Sequence, residues 1–311
     1  MQSGLSTGYT RWLVAGVILL ALLLLGVWHF HVDSNPAQEL ARKASRIDLV
    51  ERMQLGLAAS SEAEKSAVLA VTDQDSKTFA DQARAATGDV ERGRLELVAA
   101  LAAGTPRERE LLSQFSRTFE DLRRVDDEVL ALAVKNTNVK AYALLYGPAA
   151  ATLRELDEAL SRAEAKHARA TDAGKVLPLA FGVQLALFRV QALLSPHIAE
   201  ESDAKMDALE ATMAGEEAQA RRDLETLAAA AGFGGDPDLA TATSCLARYA
   251  ALEAQIVALS RENTNVRSLA LSLNQKRKAL VLSLDALNAL QQAILDEPIP
   301  GVTYGRPPSP R

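Results

Sequence analysis

The sequence predicts an all-α protein: an N-terminal transmembrane helix followed by tandem up-down four-helix bundles. Three observations predict it. Hydrophobic residues make up 48% of the 311-residue chain but aromatics only 5%, and Ala, Leu, Glu and Arg dominate, a composition of long helices with no clear alternating strand pattern. Apolar residues recur at 3-4 spacing over several heptads, most plainly at 112, 115, 119, 122, 125, 129 and 132, as on a bundle seam. The tetrapeptide Asn-Thr-Asn-Val also occurs twice, from Asn136 and from Asn263. Aligning the copies superposes Val125 on Leu252, Val129 on Ile256, Leu132 on Leu259, Lys140 on Arg267 and Leu144 on Leu271, so the match is a repeat and not one shared tetrapeptide.

Residues 1–11 read as a cytoplasmic N-terminus and residues 12–32 as the anchor. Trp12 to Trp28 carries no charge, and the run extended to Val32 is long enough to cross a hydrocarbon core of roughly 30 Å. Tryptophans flank it as at bilayer interfaces, and Arg11 on one side with Asp33 on the other orients it with the N-terminus inside. No small-x-small cleavage site follows, so the segment is expected to stay attached.

Punctuation then divides the chain into helices over about 36–72, 76–103, 106–135 and 137–172, a first bundle spanning 36–172, and over 176–195, 203–231, 237–262 and 264–296, a second spanning 176–297. Gly104 is expected to end one helix in a left-handed conformation, Thr105 to cap the next, Pro106 to open it and Glu108 to complete a capping box. Asp236-Pro237-Asp238 starts a later helix in the same way. Ser195-Pro196-His197 is expected to kink or break its helix. The last helix should bury a stripe of Val266, Leu269, Leu273, Leu280, Leu284, Leu287 and Ile294, and the tail 298–311, rich in Pro and Gly, should not pack.

The net charge of −6 argues against nucleic acid as a partner, since no basic stripe is present to displace phosphate counterions. Cys245 stands alone, which excludes an internal disulfide and a CxxC metal knuckle and points to a small core residue. There is no Ser-His-Asp signature, glycine-rich phosphate loop or HExxH motif, so no enzyme and no cofactor are expected.

Asn and Thr are poor inside helices and good at caps. Each Asn-Thr-Asn-Val copy lies between two apolar-periodic stretches, so one reading is a helix junction or a buried polar layer. The other is a ligand-binding patch, with Asn136, Asn138, Lys140, Asn263, Asn265 and Arg267 holding a small anion. His197 shares a helix face with Glu200 and Glu201 at i+3 and i+4, a spacing that suits a metal but supplies too few ligands to define a site. Lys65, Asp73, Asp75 and Arg84 read as a solvated face.

The stretch EAEKSAVLAVTDQDSKTFADQARAATGDVERGRLELVAAL with LALAVKNTNVKAYALL, and again RVQALLSPHIAEESDAKMDALEATM with IVALSRENTNVRSLALSLNQKRKAL, resembles the four-helix-bundle sensor domain of methyl-accepting chemotaxis receptors and related sensor kinases. The resemblance covers about residues 36–296. It implies a single-pass protein of the bacterial inner membrane whose bundles lie in the periplasm, sense a small-molecule ligand or envelope state, and act as a homodimer or through a separate signalling membrane protein. The chain departs from the family plan after Leu295, where neither a second membrane helix nor a HAMP or output domain is expected. The alternative function is a tethered helical scaffold or protein-interaction module.

Overall fold

The computed structural model describes Ile18, Leu20, Ala21 and residues 36–167, 173–230 and 235–299. Among these the protein is helical throughout, with no strand. The predicted membrane anchor at 12–32 lies outside the described residues apart from Ile18, Leu20 and Ala21, which are helical and exposed. The segment 1–11, expected in the cytoplasm, lies wholly outside them, as does the tail beyond Ile299.

The helices are α1 (Pro36–Leu69), α2 (Asp73–Ala100), α3 (Pro106–Ala133), α4 (Thr137–Leu144), α5 (Ala150–His167), α6 (Ala173–Ala199), α7 (Asp203–Ala229), α8 (Pro237–Glu262), α9 (Thr264–Leu271) and α10 (Arg277–Asp296). A π turn, Leu145–Ala149, joins α4 to α5, and another, Ser272–Lys276, joins α9 to α10. The two π turns occupy the same place relative to the two Asn-Thr-Asn-Val copies. The first carries Pro148, which has no N–H to give and whose ring crowds the carbonyl one turn back, so the wider turn relieves both problems.

Two compact units are present, and they interleave in sequence. One comprises residues 1–57, 88–119 and 281–311, the other residues 58–87 and 120–280. Both Asn-Thr-Asn-Val segments lie within the second unit.

In the first unit, Thr105 and Glu108 form the expected capping box: Glu108 Oε2 accepts from Thr105 N at 2.7 Å and Thr105 Oγ1 from Glu108 N at 3.2 Å. Gly104 is not left-handed, since Gly235 is the glycine with positive φ among the described residues. Its role is spatial: a Cβ there would lie 3.1 Å from Leu101 O and 2.9 Å from Glu108 Oε2. Glu108 is fully buried and meets Arg46 of α1, which also reaches Glu297 at 3.1 Å. Lys43 donates to the carbonyls of Leu295 and Glu297 at the end of α10, cations at a helix C-terminus being favourable. Gln54 bonds Asn288 at 2.9 Å, so α10 lies against α1.

The second unit contains two helical groups. In one, α4, α5, α6, α7 and α8 enclose a continuous apolar core that includes Leu145, Leu156, Leu160, Val183, Leu187, Leu224, Tyr249 and Ile256. Cys245 belongs to this core, as the sequence implied. In the other, the facing ends of α1, α2 and α3 bury Ala67, Val68, Ala80, Ala83, Val125, Val129, Leu130 and Ala133, with Leu271 of α9 packed on them. The helix that follows the first tetrapeptide thus packs with α6–α8, and the helix that follows the second packs with α1–α3.

Two further expectations change. Helix α6 runs on through Pro196 to Ala199 without ending there. Leu269 and Leu273 are exposed, because the buried face of α9 and its π turn carries Thr264, Ser268, Ser272 and Lys276 instead. Among the described residues one helix, Val176–Ala199, is long and apolar enough to cross a membrane by length and composition, with a third of it buried inside the protein. It is the helix that packs against α7 and α8.

Candidate functional site: a polar joint and buried charges

Asn136 and Asn263 are the two non-glycine residues with positive φ among those described, at 51° and 53°. Asparagine tolerates this left-handed geometry better than most residues. Each ends one helix and starts the next, and neither caps its own helix with its side chain.

The caps come from the other repeat. Thr137 N donates to Thr264 Oγ1 at 3.2 Å, and Thr264 N donates to Thr137 Oγ1 at 3.1 Å. Asn138 N donates to Asn265 Oδ1 at 3.2 Å, and Asn265 N to Asn138 Oδ1 at 3.1 Å. Asn138 Nδ2 reaches Asn263 Oδ1 at 2.8 Å, while Asn265 Nδ2 reaches Asn136 Oδ1 at 3.0 Å. The first N–H groups of a helix have no partner within it. Here α4 and α9 satisfy one another's, in a joint whose Asn136, Thr137, Asn138, Asn263 and Thr264 are buried. Asn138 Nδ2 also donates to Ile198 O at 2.6 Å, Asn263 Nδ2 to Glu200 O at 2.7 Å and Asn136 Nδ2 to Asp73 Oδ1 at 3.3 Å.

The four asparagines named from the sequence therefore come together, but their polar groups are occupied by each other. The two basic residues stand apart from the buried contacts. Lys140 donates to Lys135 O at 2.7 Å and pairs with Asp73 at 3.0 Å, and Lys140 is the main reason the Asp73 carboxyl titrates below its ordinary range. Arg267 is half exposed, with Asp203 4.0 Å away. Asp73, read from sequence as part of a solvated face, joins the site. Only its distance from the motif along the chain concealed it.

His197 is fully buried. Its Nδ1 lies 2.8 Å from Ser260 Oγ, whose hydroxyl donates to His197 O, and its Nε2 lies 2.8 Å from Glu210 Oε1. Glu210 is held low mainly by Arg261, then by His197. Both ring nitrogens are thus engaged within the protein. Glu200 accepts from the backbone of Glu201 and Ser202 and pairs with Lys205, and Glu201 is exposed. The three do not converge on a metal position, and among the described residues no group of three His, Cys, Asp or Glu could hold one.

A second polar cluster went unseen in the sequence. Glu64 of α1, Asp126 of α3 and Lys276 of the second π turn are all buried. Lys276 Nζ donates to Glu64 Oε2 at 2.9 Å and forms an ion pair with Asp126 Oδ1 at 2.6 Å. Burial, and to a lesser degree the Glu64 charge, raise the Asp126 carboxyl above its usual range against the pull of Lys276. Lys276 lies on the face of Thr264, Ser268 and Ser272, which the stripe of leucines on the other side outweighed in the sequence.

In the other repeat, Glu253 of α8 aligns with Asp126 and is likewise buried, with Oε2 unpartnered. Desolvation and the neighbouring Glu217 push it up to about 7. Tyr249, one turn earlier, is fully buried and donates to Gln191 Oε1 at 3.1 Å.

No protein-family model matches the chain, and no curated protein matches it. The reading of function therefore rests on the residues alone.

Proposed function

We propose that this protein is a membrane-anchored, extracytoplasmic sensory helical protein, built on tandem four-helix bundles that have exchanged their fourth helices, and that it senses a small ligand or envelope state and relays it through a partner. The observation that carries this reading is the reciprocal Asn-Thr joint. Each repeat hands a helix to the other there, and the hydrogen bonds that end one helix begin the other. A shift of α4 along its axis cannot occur without breaking or carrying α9. Packed helices of this kind have discrete arrangements, so a ligand that favours one arrangement in either group biases the other. The apolar run at 12–32 supports the anchor, and its flanking charges support the orientation. The bound molecule is not expected at the joint itself, whose donors are already used.

The test is a thermal-shift screen of the full chain in detergent or nanodiscs against small organic acids, amino acids and metal ions. A true ligand at 100 times its dissociation constant adds about 2.7 kcal/mol of stability. A broad panel that shifts nothing contradicts sensing.

One observation favours the alternative, an interaction module. Leu177, Phe181, Leu185 and Phe188 of α6 are exposed at helical spacing on a stretch without a charged residue between Val176 and Phe188, the kind of patch that marks an interaction surface. Crosslinking in membranes should then trap a dimer or a partner through α6, and a strictly monomeric product without partners contradicts it.

A further inference from the structure

The two repeats differ in where one positive charge comes from. In the first, Asp126 faces the ammonium of Lys276. Aligning the tetrapeptides places Glu253 on Asp126 and Ala149 on Lys276, the last residue of each π turn. Aligning the starts of α2 and α7, Asp73 with Asp203, places Glu217 on Thr87 and Leu194 on Glu64. The second repeat thus has the buried carboxylate without the cation. Glu253 is only 9% exposed and its Oε2 has no partner, a costly state for an ionised carboxylate.

The charges carried by the surrounding elements do not supply the missing one. On α7, Glu217 adds negative charge and is itself paired with Arg221. On α6, Arg189 is committed to Glu216, and Gln191, uncharged, donates to Leu145 O and accepts from Tyr249. On the helix bearing Ala149, Lys140 is committed to Asp73 and Glu155 to Arg248 of α8.

We propose that Glu253 is an exchangeable monovalent-cation site: the positive charge that Lys276 supplies covalently in the first repeat is taken by the second from solution, as a proton or as a small primary ammonium ion. The proposal rests on the repeat comparison and not on the sensory reading. Filling the site stabilises the group formed by α4–α8, and emptying it loosens that group.

The experiment compares thermal unfolding of the full-length wild type, Glu253→Gln and Ala149→Lys across pH 5.5 to 8.5, in potassium chloride and in methylammonium chloride of equal ionic strength. The wild type is expected to lose stability as pH rises through the neutral region, and Glu253→Gln, nearly isosteric, to be flat by comparison. Ala149→Lys restores the first repeat's arrangement and should hold its stability to higher pH. If methylammonium raises the melting temperature at pH 8.5 but not at pH 5.5, and only with Glu253 present, the ion is an ammonium. If pH alone matters, it is the proton. Identical pH and salt profiles for wild type and Glu253→Gln overturn the proposal, whether or not Ala149→Lys folds.

Discussion

At Asn136 and Asn263 the left-handed backbone and the hydrogen-bonded side chain are separate demands, and substitution can separate them. Alanine fails both: it dislikes positive φ, and it leaves buried donors and acceptors of the other repeat unpaired. Asn136→Ala and Asn263→Ala should each lose about 2 kcal/mol in denaturant unfolding, and Asn136→Gly less than Asn136→Ala, since glycine meets the backbone demand. At Lys276, removal strands two buried carboxyl groups, and Lys276→Ala should cost about 3–5 kcal/mol. The double change Glu64→Leu with Lys276→Ala copies Leu194 and Ala149 of the other repeat and should lose less than Lys276→Ala alone. Glu253 gives a pH signature of fixed sign. Its folded value, about 7, lies above the ordinary 4.5. The folded state therefore binds the proton more tightly, and that contribution is complete below about pH 4.5 and lost as pH rises through about 7.

At the level of elements, the joint makes a prediction about the starts of α4 and α9. First-turn amides of a helix ordinarily exchange quickly because they lack intrahelical partners. Here the amides of Thr137, Asn138, Thr264 and Asn265 should be protected in hydrogen exchange. Thr137→Val should deprotect Thr264, 127 residues away, and Thr264→Val should deprotect Thr137. The start positions of most helices were legible from Pro, Gly and cap residues, and the capping box at Thr105 and Glu108 formed as its spacing implied. The pairing of the Asn-Thr-Asn-Val copies with each other was not legible, because a repeated motif looks the same whether its copies mark two separate junctions or one shared one. The buried face of α9 was misread for a related reason. Leu269 and Leu273 outrank Thr264, Ser268 and Ser272 in hydrophobicity, and only the position of Glu64 and Asp126 makes a polar face the one that belongs inside. The π turns add a register change that regular 3-4 spacing does not reveal.

For the whole molecule, the repeat was legible and its connectivity was not. Sequential folding would give each repeat its own four helices, with α5 beside α3. The structure instead sets α5 beside α8, and the ends of that contact are held by Lys166 and Arg162 against Asp236 and Asp238. Both arrangements bury similar apolar stripes, so hydrophobic patterning alone cannot choose between them. The Asn and Thr side chains choose, because only the crossing lets each helix start be capped by the other. Carbodiimide crosslinking of the monomeric full-length protein, read by peptide mass spectrometry, tests this most directly. A zero-length bond from Lys166 to Asp236 or Asp238 is the predicted product, and crosslinks joining α5 to α3 with none to α8 would contradict the exchange.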